Sequence, residues 1–485
     1  MTQLNNSESN KSSLFLSKFP KKIQKVLVIG LGAGGILSLR NLKKINTNGY
    51  INVKCFELSK DCGGVWRYDD RVNLDNKDEF TDNTEFNCTT PMYDGLTTNV
   101  PGKIMTINEV PDNKCDDIYP TRHVIWQYLN NLVELDNLKE FVTFETKVLQ
   151  VTYLIDEKQW KVKSVDMVTR EETEELFDCV IDCSGFHNSN NIPNWAGIED
   201  FKKKYPGRLF HSRYYRRASE FRGKSVVVVG KGPSAMNIVQ ELSYEPCTVT
   251  QSSRPFKIHK LGEKIVPQIP NNPDKPPTFV SPIVGFEIDS NTGESNNDRI
   301  ILEDGTKLSI PDYLIAATGY KFHFAALPNN ASDLLQPSNS QVIVDNDTIK
   351  NIVLRTIYKF NPTFMTIGMT KMSSLITLWD YQAHIIINTI SMANYFHETR
   401  DYNPLFELIG DSWMNNEEGD KFDRTIINER YSYPIDLSLR INRAQIILPE
   451  TYRTEFPIAL IDPPSNEWME EMTRYSLGLP PYNRD

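Results

Sequence analysis

The sequence predicts an α/β protein with two similar βαβ units, and three observations lead to that fold class. Residues 26–29 form a short apolar run that enters a glycine-rich turn, and residues 224–229 repeat this pattern. Continuous apolar runs of this length are typical of buried parallel strands. Residues 141–183 alternate as further strands between the two units. We therefore expect two Rossmann-like dinucleotide-binding domains and an antiparallel β excursion.

The first glycine-rich turn has the spacing of a dinucleotide fingerprint. Gly30, Gly32 and Gly35 follow the strand as G-x-G-x-x-G. The next apolar run ends at Glu57, close to the roughly 20 positions past the last glycine at which a carboxylate hydrogen-bonds an adenosine ribose. The glycines allow a tight turn, close approach of a pyrophosphate and packing of the helix on the strand. The alternative is a tight turn that binds no ligand.

The second turn has a related pattern with a different charge after the following strand. Gly230, Gly232 and Ala235 are spaced as G-x-G-x-x-A, and the next strand ends at Ser252-Ser253-Arg254. An arginine in place of the acid favours a 2′-phosphate, which indicates NADP(H) rather than NAD. The alternative for Arg254 is a solvated surface cation.

Composition excludes several function classes. The chain has 485 residues and a formal net charge of −10, which does not favour nucleic acid or anionic lipid as a partner. No run approaches the roughly 18 to 20 apolar residues of a membrane span. Residues 1–13 lack the apolar core of a secretory signal, and we expect residues 1–22 to be a disordered tail.

Cysteine usage indicates a reduced, cytoplasmic protein. The seven cysteines include no C-x-x-C pair, which argues against a disulfide framework, a zinc site or a disulfide reductase. Cys179 and Cys183 flank an apolar strand and are expected to be buried core residues. We expect no metal. Oligomeric state, including a homo-oligomer, and peripheral attachment to the endoplasmic reticulum remain open.

Residues 205–215, YPGRLFHSRYY, resemble the signature F-x-G-x-x-x-H-x-x-x-(Y/F) of the flavin-containing monooxygenases, with Tyr205 in place of phenylalanine. Other pieces resemble that family in order and spacing, and the likeness covers about residues 25–390, closest to fungal members regarded as oxidants of thiols. These pieces are Gly63 to Trp66, LTTN ending at Asn99, SGFH at 184–187 and ATGY at 317–320.

The resemblance implies two cofactors, FAD and NADPH. FAD would occupy the first turn, with Glu57 on its ribose and the flavin near the loop that ends at Asn99. The residues assigned to FAD are Gly30, Gly32, Gly34, Gly35, Glu57, Gly64, Val65, Trp66, Thr98 and Asn99, and Gln382 is a further predicted cofactor-binding residue. The residues assigned to NADPH are Gly230, Gly232, Ser234, Ala235, Asn237 and Arg254.

The resemblance also implies the reaction. NADPH would reduce the flavin, dioxygen would give a flavin hydroperoxide, and one oxygen atom would pass to a soft sulfur or nitrogen nucleophile. Asn99 matches the family's asparagine that hydrogen-bonds the nicotinamide end and protects the peroxide, so it is the predicted catalytic residue. A neutral amide suits that place because it accepts and donates hydrogen bonds without delivering a proton. Stabilisation of the turn before Pro101 is the alternative for Asn99.

Three rival functions use the same motifs. A Baeyer–Villiger monooxygenase has a related signature that ends in tryptophan, where this chain has Tyr215. An NADPH oxidase would release hydrogen peroxide, and a non-catalytic flavoprotein would act as a binding module.

Pro233 and Asn237 depart from the family's usual second fingerprint. We expect His211 of the signature to be structural rather than a general base or metal ligand.

The same reasoning predicts the domain order. We expect the first part of the FAD-binding domain at 23–215, the NADPH-binding domain at 216–330, a return to the FAD-binding domain at 331–400 and a C-terminal extension at 401–485. Prolines and asparagines indicate a linker over about 190–222 and a long surface insertion at 262–299.

Overall fold

The structure is a computed structural model that describes most of the chain between Phe19 and Leu405 and a few residues beyond. The described ranges are 19–46, 48–70, 90–107, 109–110, 112, 115, 119–187, 189–254, 272, 274–289, 297–321, 344–345, 348–349, 352–368, 376–405, 408–409, 420–421 and 440–441. Within these ranges, no helix has the length and apolar character needed to cross a membrane.

The described strands before the second glycine-rich turn include the predicted apolar runs at 26–29, 53–56, 179–182 and 225–229. In chain order they are β1 (Lys25–Ile29), β2 (Asn52–Phe56), β3 (Val142–Thr143), β4 (Thr146–Leu154), β5 (Gln159–Asp166), β6 (Glu172–Phe177), β7 (Cys179–Asp182), β8 (Ser189–Asn190), β9 (Leu209–His211) and β10 (Ser225–Val229).

The later strands are mostly shorter. They are β11 (Thr248–Ser252), β12 (Thr278–Val280), β13 (Ile283–Glu287), β14 (Arg299–Leu302), β15 (Lys307–Ser309), β16 (Tyr313–Ala316), β17 (Tyr320–Lys321), β18 (Val344–Asp345), β19 (Thr348–Ile349), β20 (Ile352–Val353), β21 (Ile357–Tyr358), β22 (Phe364–Thr366) and β23 (Asp420–Lys421). The main helices are α1 (Ala33–Ile45), α2 (Arg122–Leu135), α3 (Ile198–Lys204), α4 (Pro233–Ser243) and α5 (Ile376–Thr399).

The first sheet has seven strands in the order β20-β21-β22-β7-β1-β2-β3. Strands β22, β7, β1, β2 and β3 run parallel, and β20 and β21 form an antiparallel edge. Val180 of β7 pairs with Phe364 of β22, so the chain leaves this sheet after β7 and returns to it much later. The prediction of a discontinuous first domain is confirmed.

The second sheet has five parallel strands in the order β12-β11-β10-β16-β9. Two predictions need correction here. The expected linker at 190–222 contains α3 and β9, and β9 belongs to this sheet, so the second domain begins before the predicted residue 216. The described part of the expected insertion at 262–299 contains β12, which pairs with β11, and β13, which pairs with β14.

The predicted antiparallel excursion is present as the sheet β4-β5-β6. Its apolar face is centred on the fully buried Trp160, whose indole N–H donates to the Thr363 hydroxyl at 2.8 Å. The aromatic ring packs against Tyr153 and Phe364. The excursion is therefore fastened to the returning segment of the first domain. Strands β14 and β15 form an antiparallel hairpin whose turn contains Asp304 and Gly305.

The chain on either side of the two domains packs against the first one. Phe19 is buried and accepts a hydrogen bond at its carbonyl from His397 at 2.9 Å, and Lys21 pairs with Asp178. The ordered chain thus begins before residue 23, and residues 1–18 of the predicted tail lie outside the described residues. In the predicted C-terminal extension, the described residues Leu405, Leu408, Ile409 and Ile441 join the core that includes α1 and α5.

Candidate cofactor-binding site

The first glycine-rich turn is held by the ends of two neighbouring strands. The Gly30 N–H donates to the Phe56 carbonyl at 2.8 Å, and Gly30 has a φ of +90°. A Cβ atom on Gly30 would lie 3.0 Å from the Cys183 carbonyl oxygen, and one on Gly35 would lie 1.9 Å from the Gly30 oxygen. Glycine is therefore required at both places, and α1 begins directly over the carboxyl ends of the strands.

Glu57 lies at the end of β2 and closes the turn from the other side. One carboxylate oxygen accepts from the Leu31 N–H at 2.5 Å. The other accepts from the Ser59 N–H at 2.8 Å and from the Ser59 hydroxyl at 2.6 Å. The side chain is almost fully buried, yet it borders the open cleft beside the turn. The distal acid of the fingerprint is thus in the predicted place.

A cleft of about 340 Å³ opens beside this turn. Its walls come from the turn, the segment after Gly63, the edge of β4, residues 184–187, the linker and the segment that precedes α5. The predicted FAD residues that line it are Gly30, Gly32, Gly34, Glu57, Gly64 and Val65. Gly35 supports the turn from within α1.

Two arginines bring positive charge to the cleft. Arg67 and Arg213 both line it, and both side chains are largely buried. Arg213 donates to the His187 carbonyl at 2.5 Å, and Arg67 lies 3.8 Å from the Asp69 carboxylate. Buried guanidinium groups beside free helix N–H groups suit an anionic, phosphate-bearing ligand.

The turn that follows Cys62 approaches the glycine loop very closely. A Cβ on Gly64 would lie 2.6 Å from the Gly32 Cα, and Gly63 and Gly64 have φ values of +107° and +53°. The next residue but one, Trp66, is buried, and its indole N–H has no hydrogen-bond partner among the described residues. A buried unpaired donor beside an open cleft is consistent with a bound acceptor.

The second glycine-rich turn repeats the first one. The Gly230 N–H donates to the Ser252 carbonyl at 2.9 Å, and Gly230 has a φ of +126°. A Cβ on Gly230 would lie 2.3 Å from the Ala317 carbonyl oxygen. Gly232 caps α4, and a Cβ there would meet nothing within 4 Å. The space over the start of α4 is therefore open.

The predicted NADPH residues take three different positions around this turn. Ser234 is exposed beside Gly232, and Arg254 is exposed two residues past Ser252. Ala235 is buried and packs below Gly230. Asn237 is hydrogen-bonded to the Tyr93 hydroxyl, which belongs to the loop that continues to Asn99. The turn and Arg254 are thus brought together, whereas Asn237 is engaged with the other domain.

The remaining predicted residues lie outside the described lining of the cleft. Thr98 is buried and donates to the Val100 carbonyl at 2.7 Å, whereas Asn99 is exposed just before Pro101. Gln382 is fully buried in α5 and accepts from the Gly368 N–H at 3.2 Å. Gly368 lines the cleft, so Gln382 supports its wall. Direct cofactor contacts for these residues remain predictions.

His211 has two backbone partners. Its Nδ1 accepts from the Arg213 N–H at 3.1 Å, and its Nε2 lies 2.9 Å from the Gly319 carbonyl oxygen. Burial, with the nearby Arg213 charge, lowers the pKa of His211 to about 4. The side chain fastens the linker to β16 and its following turn, as a structural histidine would.

Sequence reasoning missed several residues of the cleft. Arg213 lies inside the 205–215 signature, and its position there could have indicated a role. Arg67 follows the Gly63 to Trp66 motif directly. Gly368 and Trp379 have no local signal, because the return of the chain brings them to the cleft from far along the sequence.

Comparison with known proteins supports one family. A family model described as flavin-binding monooxygenase-like matches residues 23–258. The chain is 27% identical to the flavin-containing monooxygenase ustF2 of Aspergillus flavus over 66% of this chain and 67% of that protein. It is 27% identical to a trimethylamine monooxygenase of Pelagibacter ubique over 81% of this chain and 80% of that protein. The chain is thus similar to the flavin-containing monooxygenases.

Solved structures of flavin monooxygenases share the fold. The trimethylamine monooxygenase Tmm from a Pelagibacter strain matches with a TM-score of 0.63 and 20% identity, over 93% of this chain and 90% of that one. The S-allyl-L-cysteine S-oxygenase of Allium sativum matches with a TM-score of 0.63 and 18% identity, over 93% and 92%. The family match at residues 23–258 and the named relatives indicate an oxidoreductase with a flavin cofactor.

Proposed function

We propose that this protein is an FAD- and NADPH-dependent monooxygenase that transfers one oxygen atom from dioxygen to a soft sulfur or nitrogen nucleophile. One observation carries the proposal: a single chain contains two glycine turns of the same design, one followed by Glu57 and the other by Arg254. An acid at that place suits a free ribose, and an arginine suits a 2′-phosphate. The pair therefore supports FAD in the first turn and NADPH in the second.

The residues present fit these cofactors. The cleft beside the first turn has glycine walls that a Cβ would fill and two arginines for a diphosphate, and the unpaired Trp66 donor lies between the lining residues Val65 and Arg67 in sequence. The second turn has the open space at Gly232 that a pyrophosphate needs. When bound, reduced FAD supplies the electrons that activate dioxygen, and NADPH supplies the hydride.

The chain's own residues bind, orient and exclude water. The helix N–H groups of α1 and α4 would hold the two pyrophosphates. The Glu57 carboxylate retains lone pairs for a ribose hydroxyl while it holds the turn. Asn99 would offer an amide near the flavin without delivering a proton. The cleft walls, including Trp379, would limit access of water.

Sulfur or nitrogen as the target is supported by the named relatives. They include trimethylamine monooxygenases and an S-allyl-L-cysteine S-oxygenase, which act on nitrogen and sulfur respectively by their names. Fold likeness alone does not discriminate, because cyclohexanone monooxygenase also shares the fold with a TM-score of 0.51 and 14% identity. The final tyrosine of the signature, Tyr215, favours heteroatom oxygenation over the Baeyer–Villiger reaction.

The test uses purified full-length protein. FAD released on denaturation is quantified, and the oxidation of NADPH and NADH is followed with and without a small thiol, a sulfide and a tertiary amine. We expect FAD to be bound, NADPH to be preferred, and oxygenated product to account for most of the NADPH consumed with at least one nucleophile. Hydrogen peroxide in place of product with every nucleophile would instead indicate an oxidase, and protein without FAD would overturn the proposal.

A further inference from the structure

Four side chains join the two nucleotide-binding domains through their hydroxyl, amide and carboxylate groups. Tyr93 lies in the loop of the first domain that continues to Asn99, Tyr215 ends the linker signature, and Asn237 and Glu241 lie on α4. The Tyr215 hydroxyl donates to the Glu241 carboxylate at 2.7 Å, and Tyr93 is hydrogen-bonded to Asn237. We call these four residues the tyrosine bridge.

The bridge is geometrically continuous. Asn237 and Glu241 are one helical turn apart, so their side chains project from the same face of α4. The rings of Tyr93 and Tyr215 pack edge to face with centroids 5.4 Å apart. Both tyrosines are buried, with exposed fractions of 3% and 0%. Each hydroxyl therefore has its partner on the same helix, and each ring braces the other.

Gly95, in the loop of the first domain, lies in close contact with the Glu241 side chain of the tyrosine bridge. A Cβ on Gly95 would lie 2.4 Å from the Glu241 carboxylate oxygen. Burial raises the pKa of Glu241, while the Tyr215 hydrogen bond opposes that rise. The carboxylate is thus held between a hydroxyl of the linker and the backbone of the loop.

The linker is fastened to the same loop by Arg216. The buried Arg216 side chain donates to the backbone carbonyls of Asp69 at 2.6 Å and Thr90 at 3.1 Å. The Arg216 backbone carbonyl accepts from the Asp94 N–H at 2.8 Å. The loop and linker therefore form one unit, and the tyrosine bridge is where that unit meets α4.

The same helix and the same loop carry both ends of the proposed reaction. The N-terminus of α4, at Gly232, would hold the NADPH pyrophosphate, and the loop begins at Thr90 and Pro91, which line the cleft proposed for the flavin. We propose that the tyrosine bridge is a positioning device that sets the nicotinamide of NADPH against the flavin. This inference rests on the proposed function, and it assigns Tyr93, Tyr215, Asn237 and Glu241 to positioning rather than to direct contact with either cofactor.

The test compares hydride transfer with nucleotide binding. Tyr93→Phe, Tyr215→Phe and Glu241→Gln are each loaded with FAD and mixed with NADPH without oxygen, and flavin reduction is followed across NADPH concentrations. We expect the limiting rate to fall about tenfold, since small misplacements of reacting groups cost up to about 100-fold. The NADPH dissociation constant should change less than twofold, because no contact with the nucleotide is removed.

Two further variants separate positioning from stability. Tyr128→Phe is the matched control, because that buried hydroxyl accepts from the Ile107 N–H and donates to the Val110 carbonyl, both at 2.9 Å, within the first domain. It should lower the melting temperature but leave the limiting rate unchanged. Gly95→Ala keeps all four bridge side chains and displaces the Glu241 carboxylate, so it should lower the limiting rate.

The double variant Tyr215→Phe with Glu241→Gln should reduce the rate no more than the stronger single variant, because both changes remove the same hydrogen bond. Bridge variants that lose thermal stability but keep the wild-type limiting rate would overturn the positioning role alone. Wild-type flavin that NADPH does not reduce would overturn the proposed function, and the positioning role with it.

Discussion

The Glu57 carboxylate accepts a hydrogen bond from the Leu31 N–H at 2.5 Å and thereby ties the end of β2 to the glycine turn that follows β1. A residue expected only to contact a ribose therefore also shapes the turn. The other Glu57 carboxylate oxygen accepts hydrogen bonds from the Ser59 N–H and the Ser59 hydroxyl. A carboxylate has about four acceptor positions, so ribose binding and support of the turn are compatible.

Glu57→Gln should weaken FAD binding by roughly 10- to 100-fold, because the amide replaces an acceptor with a donor beside an N–H group that is already buried. The FAD dissociation constant, measured by flavin fluorescence on apoprotein, checks this. Glu157→Gln, at an exposed position in the turn between β4 and β5, is the control and should bind FAD as the wild type does. Equal affinity in the Glu57 variant would remove this residue from the site.

Gly35→Ala and Gly232→Ala should have opposite consequences. A Cβ on Gly35 would lie 1.9 Å from the Gly30 oxygen, so this variant should lose bound FAD and about 1–3 kcal/mol of stability. A Cβ on Gly232 meets nothing within 4 Å, so that variant should keep its melting temperature and its FAD but bind NADPH more weakly. Normal NADPH affinity in Gly232→Ala would contradict the second nucleotide site.

Arg254→Ala should raise the Michaelis constant for NADPH about tenfold or more while that for NADH changes little. The reason is that an arginine pairs with the 2′-phosphate, which NADH lacks. Steady-state kinetics with both nucleotides, in the same preparation, provide the internal control. The Michaelis constant of Arg254→Lys for NADPH should fall between those of the wild type and Arg254→Ala, because lysine keeps the charge but lacks the planar guanidinium group. Equal effects on NADPH and NADH would contradict the phosphate role.

Asn99→Ala should keep FAD and NADPH binding but increase the share of NADPH that yields hydrogen peroxide instead of product. The amide is expected to hydrogen-bond near the flavin, and its loss would admit water to the reacting centre. Product and peroxide are measured against NADPH consumed. Asn194→Ala, in an exposed part of the linker, should leave the ratio unchanged. An unchanged ratio in the Asn99 variant would assign this residue to the turn before Pro101 alone.

His211 should make the protein less stable in mild acid. Its folded-state pKa is about 4, below the ordinary value of 6.5, so the unfolded chain binds more protons between those values. The contribution of His211 to the free energy of unfolding should therefore fall by about 3 kcal/mol as pH drops from 6.5 to about 4, and that contribution should not change further below pH 4.

Denaturant unfolding of the wild type and His211→Asn across this range checks the effect. The variant should be less stable at pH 7 but should lose less stability on acidification, because it has no imidazole to protonate. Asn194→Ala, which removes no titratable group from an exposed position, should retain the wild-type slope. A parallel slope in His211→Asn and wild type would contradict the assignment.

The parts of the fold that the sequence predicted are those with local signals. Both glycine turns, their strands and the excursion could be located because apolar runs and glycine spacing directly reflect a buried strand and a tight turn. Strands β12 and β13 were missed because they lie in a segment rich in prolines and asparagines, and β12 has only three residues. Their place is decided by pairing with β11 and β14, which composition does not report.

The candidate site divides in the same way. Glu57 was predicted because its distance from the glycines is fixed by one βαβ unit. Asn237 was assigned to the nucleotide by its place in the motif, yet the direction of its side chain depends on α4 facing Tyr93 of the other domain. Trp379 reaches the cleft only through the return of the chain, and no local pattern indicates such long-range contacts.

The pairing of Val180 with Phe364 has a consequence for how the chain matures on the ribosome. The whole second sheet, from β9 to β16, is synthesised before β22 exists. The second domain can therefore fold while the first still lacks a central strand, and the edge of β7 stays unpaired until then. Open strand edges invite aggregation. We therefore expect nascent chains that stall before Phe364 to aggregate more readily than the completed chain.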